Sequence, residues 1–449
     1  MSEATQQPAR PRISGWKATI AVAMSNYIEA GSIIALATSL TFWQDYFGFS
    51  NLMVGLVAAV SANAFGAAVG ALIGGQLGDR FGRKFIYTYD LIVYMLGTLL
   101  VVFAAHPAML LTGVVLTGIA VGAGVPVAWT YIAEEAPATD RAKHVGSAQL
   151  AWSLGPALVF LFATIVVPLG LLGSRIIFAH LFVVAFVTWW VRRGLAESDT
   201  WKKSNAERLA SEASTGIRRR NYRELLLNRG NLKALLFLTG VYALWNLVAG
   251  QMGIFMPRVY ETAGVESGTH QNLLQVLLWT CTVAATYWGF MKYGDRVSRR
   301  KLYIVGAVLG IAAWVLLVFA HITMPLLIVF AVLWGVSAGI GAQAFYALWA
   351  AEMFATRYRA SAQGVLFFVA RILVGVLSYW FPTMLAEQGV PFVGSVMIAL
   401  LVAALIIGAV GAPNTSGRTL EEIEAERYGT APGEAPADAS STTPTAGTR

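Results

Sequence analysis

The chain has 449 residues, of which 57% are apolar and 12% are charged, and its formal net charge is +8. Its mean hydropathy of +0.62 and a charge content about half of the roughly 25% found in soluble domains exclude a soluble protein. Its single cysteine, Cys281, excludes an internal disulfide, and its five histidines show no metal-ligand spacing. The sequence therefore predicts a protein of the lipid bilayer that holds no metal or other cofactor.

Apolar runs of about 20 residues, the length that crosses roughly 30 Å of hydrocarbon, recur along the chain. We predict twelve transmembrane helices in two sets of six, which is an all-α membrane fold. The predicted spans are 16–44, 51–78, 84–105, 108–134, 143–168 and 173–192, followed by 231–258, 269–294, 301–321, 325–352, 361–386 and 390–412. The first apolar run is too long for a signal-peptide core, so residues 1–15 are expected to remain as an N-terminal segment.

Polar segments divide the chain into domains. We expect 16–192 and 231–412 to form two six-helix bundles, with a hydrophilic linker at 193–230. The tail at 413–449 is rich in small and polar residues, with one charged patch at 421–427. Because such a composition buries too little apolar surface to fold, we expect most of the tail, and all of 429–449, to be disordered.

Basic residues concentrate in alternate loops. They lie between predicted helices 2 and 3, 4 and 5, 8 and 9, and 10 and 11, whereas the other short loops have almost none. Loops rich in lysine and arginine stay in the cytoplasm. Both termini and the linker are thus predicted to be cytoplasmic, in a protein of the cell (inner) membrane. The positive charge then reflects topology, and nucleic-acid binding is disfavoured.

Two loop motifs recur in the same order in the two halves. The sequence Gly-Asp-Arg-Phe-Gly-Arg-Lys at 78–84 returns as Gly-Asp-Arg-Val-Ser-Arg-Arg at 294–300. The spacing from Glu134 to Arg141 is echoed from Glu352 to Arg359. These repeats indicate duplication of a six-helix unit, which is typical of many secondary transporters.

The stretch Gly-Gln-Leu-Gly-Asp-Arg-Phe-Gly-Arg-Lys at 75–84 resembles the cytoplasmic loop signature of the major facilitator superfamily. The repeat extends this resemblance over about 16–412. The segments 126–141, 196–201 and 352–359 resemble the sugar porters and their polyol and aromatic-acid relatives. Segments 26–32 and 244–250 are most similar to bacterial inositol permease-like members. The resemblance implies a two-lobed transporter that works by alternating access and is not an enzyme.

Charged residues at the predicted helix ends favour a cytoplasmic gate. A carboxylate at a helix end can pair with arginines of neighbouring helices when that side is closed and release them when it opens. The alternative is that Arg80, Arg83 and Lys84 only fix the topology, and Asp90 is expected to pair structurally beside the gate. The predicted gate residues are Asp79, Arg80, Arg83, Asp90, Glu134, Arg141, Asp295, Arg296, Glu352 and Arg359.

Two charged residues fall near the middle of predicted spans, Glu29 in helix 1 and Arg371 in helix 11. Such residues are costly in lipid and usually face a cavity. Proton-coupled sugar porters pair an acidic residue of helix 1 with an arginine of helix 4, but helix 4 of this chain has none. We predict that Glu29 carries the coupled proton, because burial disfavours a charged carboxylate. The alternative is a structural Glu29, permanently protonated or paired with Arg371.

Amide and aromatic side chains cluster at a similar depth. Amides donate and accept hydrogen bonds and aromatic faces stack on sugar or polyol rings, so these residues favour a neutral polyhydroxylated solute. The alternative is that the amides join helices to one another. The predicted substrate residues are Asn26, Tyr27, Asn63, Gln149, Trp152, Trp245, Asn246, Gln251, Gln275, Trp279, Gln343, Tyr346 and Arg371.

The sequence thus predicts a monomeric transporter that imports a small polar solute together with protons. A sugar or polyol such as inositol is the favoured solute. The sequence contains no phosphate-binding Walker motif with which ATP could drive transport. An anionic solute held by Arg371 is the first alternative. A drug–proton antiporter is another, suggested by Gly155-Pro156, although the small residues expected after it are replaced by larger ones. A sensor built on the same fold is the third.

Overall fold

A computed structural model describes residues 15–215, 221–265 and 267–428, and the regular elements in these ranges are helices. The first fourteen residues and the segment 429–449 lie outside the described residues, as does the disorder predicted for that segment. Ten helices of the described chain are long and apolar enough to cross a membrane. The all-α membrane fold is confirmed.

Seven helices make up the first half: α1 (Trp16–Phe47), α2 (Asn51–Ala59), α3 (Phe65–Phe81), α4 (Arg83–Val102), α5 (Pro107–Glu135), α6 (Arg141–Val166) and α7 (Leu171–Arg192). The linker carries α8 (Asp199–Thr215) and α9 (Asn221–Leu227). The second half contains α10 (Arg229–Thr262), α11 (Gly268–Ala284), α12 (Arg299–Phe319), α13 (Met324–Ile340), α14 (Ala342–Glu352), α15 (Arg359–Gly411) and α16 (Leu420–Tyr428). A π-helix at Ala285–Met291 extends α11, and short 3₁₀ turns lie at Ala138–Asp140, Val167–Leu169 and Thr356–Tyr358.

Two features account for the difference between ten helices and the twelve predicted spans. The predicted second span is broken between α2 and α3, each of which is short. The predicted eleventh and twelfth spans form α15, whose 53 residues are interrupted at Gly389 with φ 73°. Glycine tolerates this left-handed conformation, and each piece of α15 is long enough for a crossing. The count of twelve therefore stays a prediction.

The helix α1 lies at the centre of the protein, with 83% of its most apolar 18-residue stretch buried. It packs against α5, α6 and α7 of its own half and contacts α10 of the other half. A helix that is apolar on all sides is expected in such an interior position. Its central place brings Glu29 within reach of both halves.

The two halves meet through two principal helix pairs, α3 against α15 and α6 against α11. Glycines allow the first pair to approach closely. A Cβ added at Gly75 would lie 2.6 Å from the Ala360 carbonyl oxygen, and one at Gly364 would lie 2.4 Å from the Ala71 carbonyl oxygen. Small residues at such contacts are typical of helix packing in membranes.

The predicted hydrophilic linker and the predicted tail both carry helices. The linker forms α8 and α9, and Leu420–Tyr428 of the predicted disordered tail forms α16. Leu420 and Ile423 are buried, which explains why α16 is held although the average composition of the tail is polar. Composition averaged over 413–449 concealed this short stretch.

Candidate functional site

The loops rich in lysine and arginine meet at one end of the protein, called here the basic end. Its first charge network consists of Asp79, Arg83, Glu134 and Arg359. Arg83 lies 2.9 Å from Asp79 and 2.7 Å from Glu134, and Arg359 lies 3.2 Å from Glu134, all measured between nitrogen and oxygen. These side chains are at most 1% exposed. Because Arg359 begins α15, the network joins the two halves.

A second charge network repeats this arrangement with Asp295, Arg299, Glu352 and Arg141. Arg299 lies 3.0 Å from Asp295 and 2.8 Å from Glu352, and Arg141 lies 2.9 Å from Glu352. Here the arginine from the other half is Arg141 at the start of α6. The repeated loop motifs therefore build two equivalent bridges between the halves.

Each aspartate also binds the first turn of a helix from the opposite half. Asp79 accepts hydrogen bonds from the main-chain nitrogens of Ala360, at 3.2 Å, and Ser361, at 2.7 Å. Asp295 accepts from the main-chain nitrogens of Ala142 and Lys143 at 2.9 and 3.3 Å. Free N–H groups and the helix dipole favour an anion at this position. The same carboxylates thus serve as ion-pair partners and as helix caps.

The start of the linker closes over the first charge network. Glu197 accepts hydrogen bonds from the main-chain nitrogens of Arg83 and Lys84, each at 3.0 Å, at the start of α4. The approach requires Gly82, which has φ 100° and whose added Cβ would lie 2.2 Å from a Glu197 carboxylate oxygen. Trp201 of α8 donates to the Asp79 carbonyl oxygen at 2.9 Å.

The segment before α16 closes the second charge network in a similar way. The Thr415 hydroxyl donates to Glu352 at 2.6 Å and lies 2.8 Å from the Arg299 guanidinium, which donates to it. Arg141 donates to the Arg418 carbonyl oxygen at 3.1 Å. At the end of α16, the Tyr428 hydroxyl donates to the Asn231 side-chain oxygen at 2.6 Å. The segment 415–428 is thereby held at the basic end by contacts with both halves of the protein.

Three predicted gate residues lie outside the networks. Arg80 and Arg296 are exposed and make no ion pair within the part of the chain that the structure describes. Asp90 lies deeper, 3.9 Å from the Arg192 guanidinium of α7. Sequence reasoning missed Arg299, although it stands where Arg83 stands in the repeated motif. The i, i+4 spacing of each Asp–Arg pair was the signal that could have found it.

Sequence reasoning assigned no role to three other residues that contact predicted gate residues: Arg192, Glu197 and Thr415. Glu197 lies in the segment 196–201 that resembles the sugar porters, which was the signal for it. Arg192 is buried and donates to the main-chain oxygens of Ala21 and Val22 on α1, both at 2.9 Å. Buried arginines at the end of a predicted span give no sequence signal that separates them from topology determinants. Only the fold brings them together with their partners.

A small cavity of about 10 Å³ lies at the centre of the protein. It is lined by Ala30, Ile33, Ile34, Asn63, Trp152, Pro156, Asn246, Ala249, Gly250, Gly253, Trp279 and Arg371. Five of these were predicted substrate residues. Beside the cavity, Arg371 forms a buried ion pair with Glu29 and donates to the main-chain and side-chain oxygens of Asn63, both at 3.1 Å.

Around this centre, buried polar atoms lack a hydrogen-bond partner among the residues that the structure describes. They include donors and acceptors on α6, α10, α11 and α14. Among the uncharged ones are Gln149 Nε2, Asn246 Oδ1, Gln275 Nε2, Trp279 Nε1, Gln343 Oε1 and the Tyr346 hydroxyl, and within the ion pair Glu29 Oε2 and Arg371 Nε also lack a partner. Leaving buried polar groups unpaired costs about 1–3 kcal/mol each, so such a concentration marks a place where a polar ligand can supply the partners.

Other predicted substrate residues have partners within the protein. Asn26 accepts from the Trp129 indole at 2.8 Å, and Gln251 donates to the Val374 carbonyl oxygen at 3.4 Å. The Tyr27 hydroxyl lies 3.5 Å from His180. Trp245 is buried on α10, with its ring 6.4 Å from that of Tyr242. The contacts of Asn26, Tyr27 and Gln251 join helices, as the alternative interpretation of the amides expected, whereas that of Trp245 lies within α10.

A larger cavity of about 410 Å³ lies at the end opposite the basic end. It is lined by residues of α1, α10, α11 and α15, among them Gln44, Arg258 and Glu261. Thr41 and Glu261 are exposed to solvent. The protein is thus sealed by two charge networks at one end and has a solvent-exposed vestibule at the other.

The internal repeat, the paired charge networks and the polar centre define a membrane transporter of the major facilitator superfamily. The family model described as sugar (and other) transporter matches residues 18–426, and the chain belongs to this family. Family members are transporters, so the predictions of a transporter and of no enzyme activity are confirmed.

Individual relatives agree with this assignment. The chain is 42% identical over 414 residues, 92% of its length and 94% of its relative's, to the minor myo-inositol transporter IolF of Bacillus subtilis. It is 24% identical over 370 residues, covering 71% of this chain and 69% of the relative, to the quinate permease of Emericella nidulans. The solved proton:xylose symporter XylE from Escherichia coli, bound to 6-bromo-6-deoxy-D-glucose, matches with a TM-score of 0.77 at 18% identity, covering 91% and 98% of the two chains. The last likeness supports the fold.

Proposed function

We propose that this chain is a proton-coupled importer of a small neutral polyol, with inositol as the first candidate, that works by alternating access in the cell (inner) membrane. Similarity to a myo-inositol transporter supports the solute class, and similarity to a proton:xylose symporter supports the coupling. We further propose that residues 16–192 and 231–412 are the two moving lobes of a monomer and that the basic end faces the cytoplasm.

The observation that carries the proposal is the set of unpaired amide, indole and hydroxyl groups around the central cavity. The set offers both donors and acceptors, and apart from the Glu29–Arg371 pair its members are uncharged. Polyols present hydroxyls that do both, and their apolar faces can lie against Trp152 and Trp279, whose rings are 5.3 Å apart. A neutral polyhydroxylated solute therefore suits the site.

The two charge networks suit the role of a cytoplasmic gate. They join the halves at the basic end, while a vestibule is open at the other end. An outward-facing transporter has this combination of a closed and an open end. Import then requires both networks to part when the loaded centre opens to the cytoplasm, which explains why each includes one ion pair between the halves.

A small organic anion is the second candidate solute, supported by the likeness to a quinate permease. Against it stands the ion pair of Arg371 with Glu29, because the guanidinium is already neutralised. An anion would have to displace a carboxylate of the protein. The neutral polyol matches the uncharged unpaired groups around the cavity and is the better candidate.

Uptake by the purified protein in proteoliposomes tests the proposal. We expect labelled myo-inositol to accumulate when the outside is more acidic, and a protonophore to abolish the accumulation. Protein-free liposomes are the control. Accumulation of quinate in place of myo-inositol would favour the anion, and uptake that ignores the pH gradient would contradict proton coupling.

A further inference from the structure

Arg371 connects three elements from both halves at the centre of the protein. It belongs to α15, pairs with Glu29 of α1, and donates to two oxygens of Asn63. All three residues are at most 2% exposed. One guanidinium therefore joins the second half to two separate parts of the first half.

Asn63 lies in the break between α2 and α3, where residues 60–64 leave the helix. Its main-chain oxygen accepts from Arg371, and its side-chain nitrogen donates to the Gly250 carbonyl oxygen of α10 at 3.3 Å. Unwound backbone at membrane depth needs buried partners, and other transporters place cations at such carbonyls. Here the cation is a side chain of the protein itself.

The central cavity has no room for a polyol while this bridge is made. Its volume of about 10 Å³ corresponds to about one water molecule. Arg371 forms part of its wall together with Asn246 and Trp279, and Phe367 packs against the guanidinium at 4.5 Å from the ring centroid. A side chain of the wall must move before a solute can bind, and Arg371 is the one whose anchor is a titratable group.

The surroundings of Glu29 identify which group can change charge. Tyr242 of α10 and Tyr346 of α14 interact electrostatically with both members of the pair, but tyrosines ordinarily titrate near pH 10. Trp152 faces Glu29 from α6 and does not titrate. His180 of α7 contacts Tyr27, and the Asp90–Arg192 pair reaches α1 at Ser25. Around neutral pH, protonation of Glu29 is thus the event that breaks the bridge to Arg371.

We propose that Arg371 is the counter-ion of the coupling proton rather than a ligand of the solute, and that protonation of Glu29 frees its guanidinium and opens the space that the solute takes. The inference rests on the proposed proton coupling and takes Glu29, which the sequence predicted as the proton carrier, as the group that binds the proton. A proton from the vestibule side binds the carboxylate first, the solute binds second, and loss of both lets Arg371 pair again. Solute affinity then rises as pH falls.

A test without any solute uses a cysteine in the cavity wall. Ile34 lines the cavity and is 1% exposed, so Ile34→Cys is made in a Cys281→Ser background, with Glu29 intact or changed to Gln. Labelling by a small thiol reagent is compared between the two proteins at each pH, which cancels the pH dependence of the thiolate. We expect Glu29→Gln to label faster at alkaline pH and the two rates to converge as pH falls. Equal rates at every pH would overturn the inference.

Variants of Arg371 show whether this residue acts as a counter-ion or only fills space in the cavity wall. In the same background Arg371→Gln should label rapidly at all pH values, whereas Arg371→Lys keeps a cation and should retain pH-dependent protection. Size-exclusion profiles confirm folding, and the lysine variant still decides if the glutamine variant does not fold. Pure packing predicts similar labelling of both variants without pH dependence, which would contradict the counter-ion.

Binding of myo-inositol to the intact protein provides the second arm. We expect affinity to rise as pH falls and to lose that dependence in Glu29→Gln. Binding by the unchanged protein that does not depend on pH would overturn the inference while leaving the polyol assignment intact. Absence of binding at every pH would instead contradict the proposed solute, and the solute-free labelling would still decide the role of Arg371.

Discussion

The basic end and the centre of this protein use charge in opposite ways. At the basic end, eight charged residues form two equivalent networks, each with arginines that bridge two carboxylates or two halves. At the centre, one ion pair stands alone, surrounded by uncharged polar groups without partners. The carboxylates of the first region have their partners within the protein, whereas the second region leaves hydrogen-bonding groups free for a ligand.

The difference follows from what each region has to do. A gate needs a closed state that is stable without solute, so Asp79 and Asp295 also cap the N-termini of helices from the opposite half. A binding site needs groups whose partners arrive with the solute. The duplicated motifs give the gate its symmetry, and the centre departs from symmetry because Glu29 and Arg371 have no counterparts of this kind in the other half.

The largest effect is expected where a buried network is broken. Arg299→Ala leaves Asp295 and Glu352 without their shared cation, which should disfavour the closed gate by about 3–5 kcal/mol. Accessibility of a cysteine placed at the basic end should rise strongly. Arg296→Ala, three residues away and exposed, is the matched control. It should change the free-energy difference between the open and the closed gate by less than about 0.5 kcal/mol. Equal effects of the two variants would contradict the assignment of Arg299.

A second prediction tests whether gate and centre act separately. Asp79→Asn removes the ion pair with Arg83 and weakens the cap on α15, but it lies far from the cavity. Transport should therefore slow much more than solute binding weakens, as measured by uptake rates beside equilibrium binding of labelled myo-inositol. Equal loss of both in folded protein would argue that the two regions are not independent.

Changes at the unpaired amides should affect binding. Asn246→Ala and Gln149→Ala are each expected to weaken myo-inositol binding by about 1–3 kcal/mol, since a solute hydroxyl would lose its partner. Gln251→Ala, on the same helix as Asn246 but already bonded to Val374 and Ser378, is the control and should lower thermal stability rather than affinity. Normal binding by both test variants would place the solute elsewhere.

The smallest effect is expected from Arg371→Lys. If the solute is neutral, affinity for myo-inositol at acidic pH should stay close to that of the unchanged protein. An anion held by the guanidinium would lose much of its affinity, because lysine cannot reproduce the two-pronged geometry. Binding isotherms for myo-inositol and quinate at the same pH distinguish the two, and a large loss for myo-inositol would speak against the neutral-solute account.

Repeated motifs made most of the basic end predictable. Asp79 and Glu134 recur as Asp295 and Glu352 at a nearly constant offset, and the networks contain seven residues from the predicted gate. Arg296 was named as the counterpart of Arg80, whereas Arg299, the counterpart of Arg83 in the repeat, was overlooked. Thr415 escaped because its role depends on a chain end that folds back from a distant part of the sequence.

The centre was harder to predict from sequence. Depth along predicted helices brought Glu29 and Arg371 to the same level, but spacing cannot say which helices face each other. For the same reason the amides could not be divided into helix contacts, such as Gln251, and unpaired groups, such as Gln149. The break at Asn63 was also missed, because Ser61 and Asn63 are two isolated polar residues in a long apolar run and do not by themselves predict an interruption.

Glu29→Gln in proteoliposomes tests the central claim most directly. The variant mimics the protonated carboxyl group, so it should lose accumulation of myo-inositol driven by a pH gradient and keep exchange of labelled for unlabelled solute. That result is expected if Glu29 carries the coupled proton and Arg371 is its counter-ion. Accumulation that survives in Glu29→Gln would contradict the account, and loss of exchange as well would show that the residue is structural.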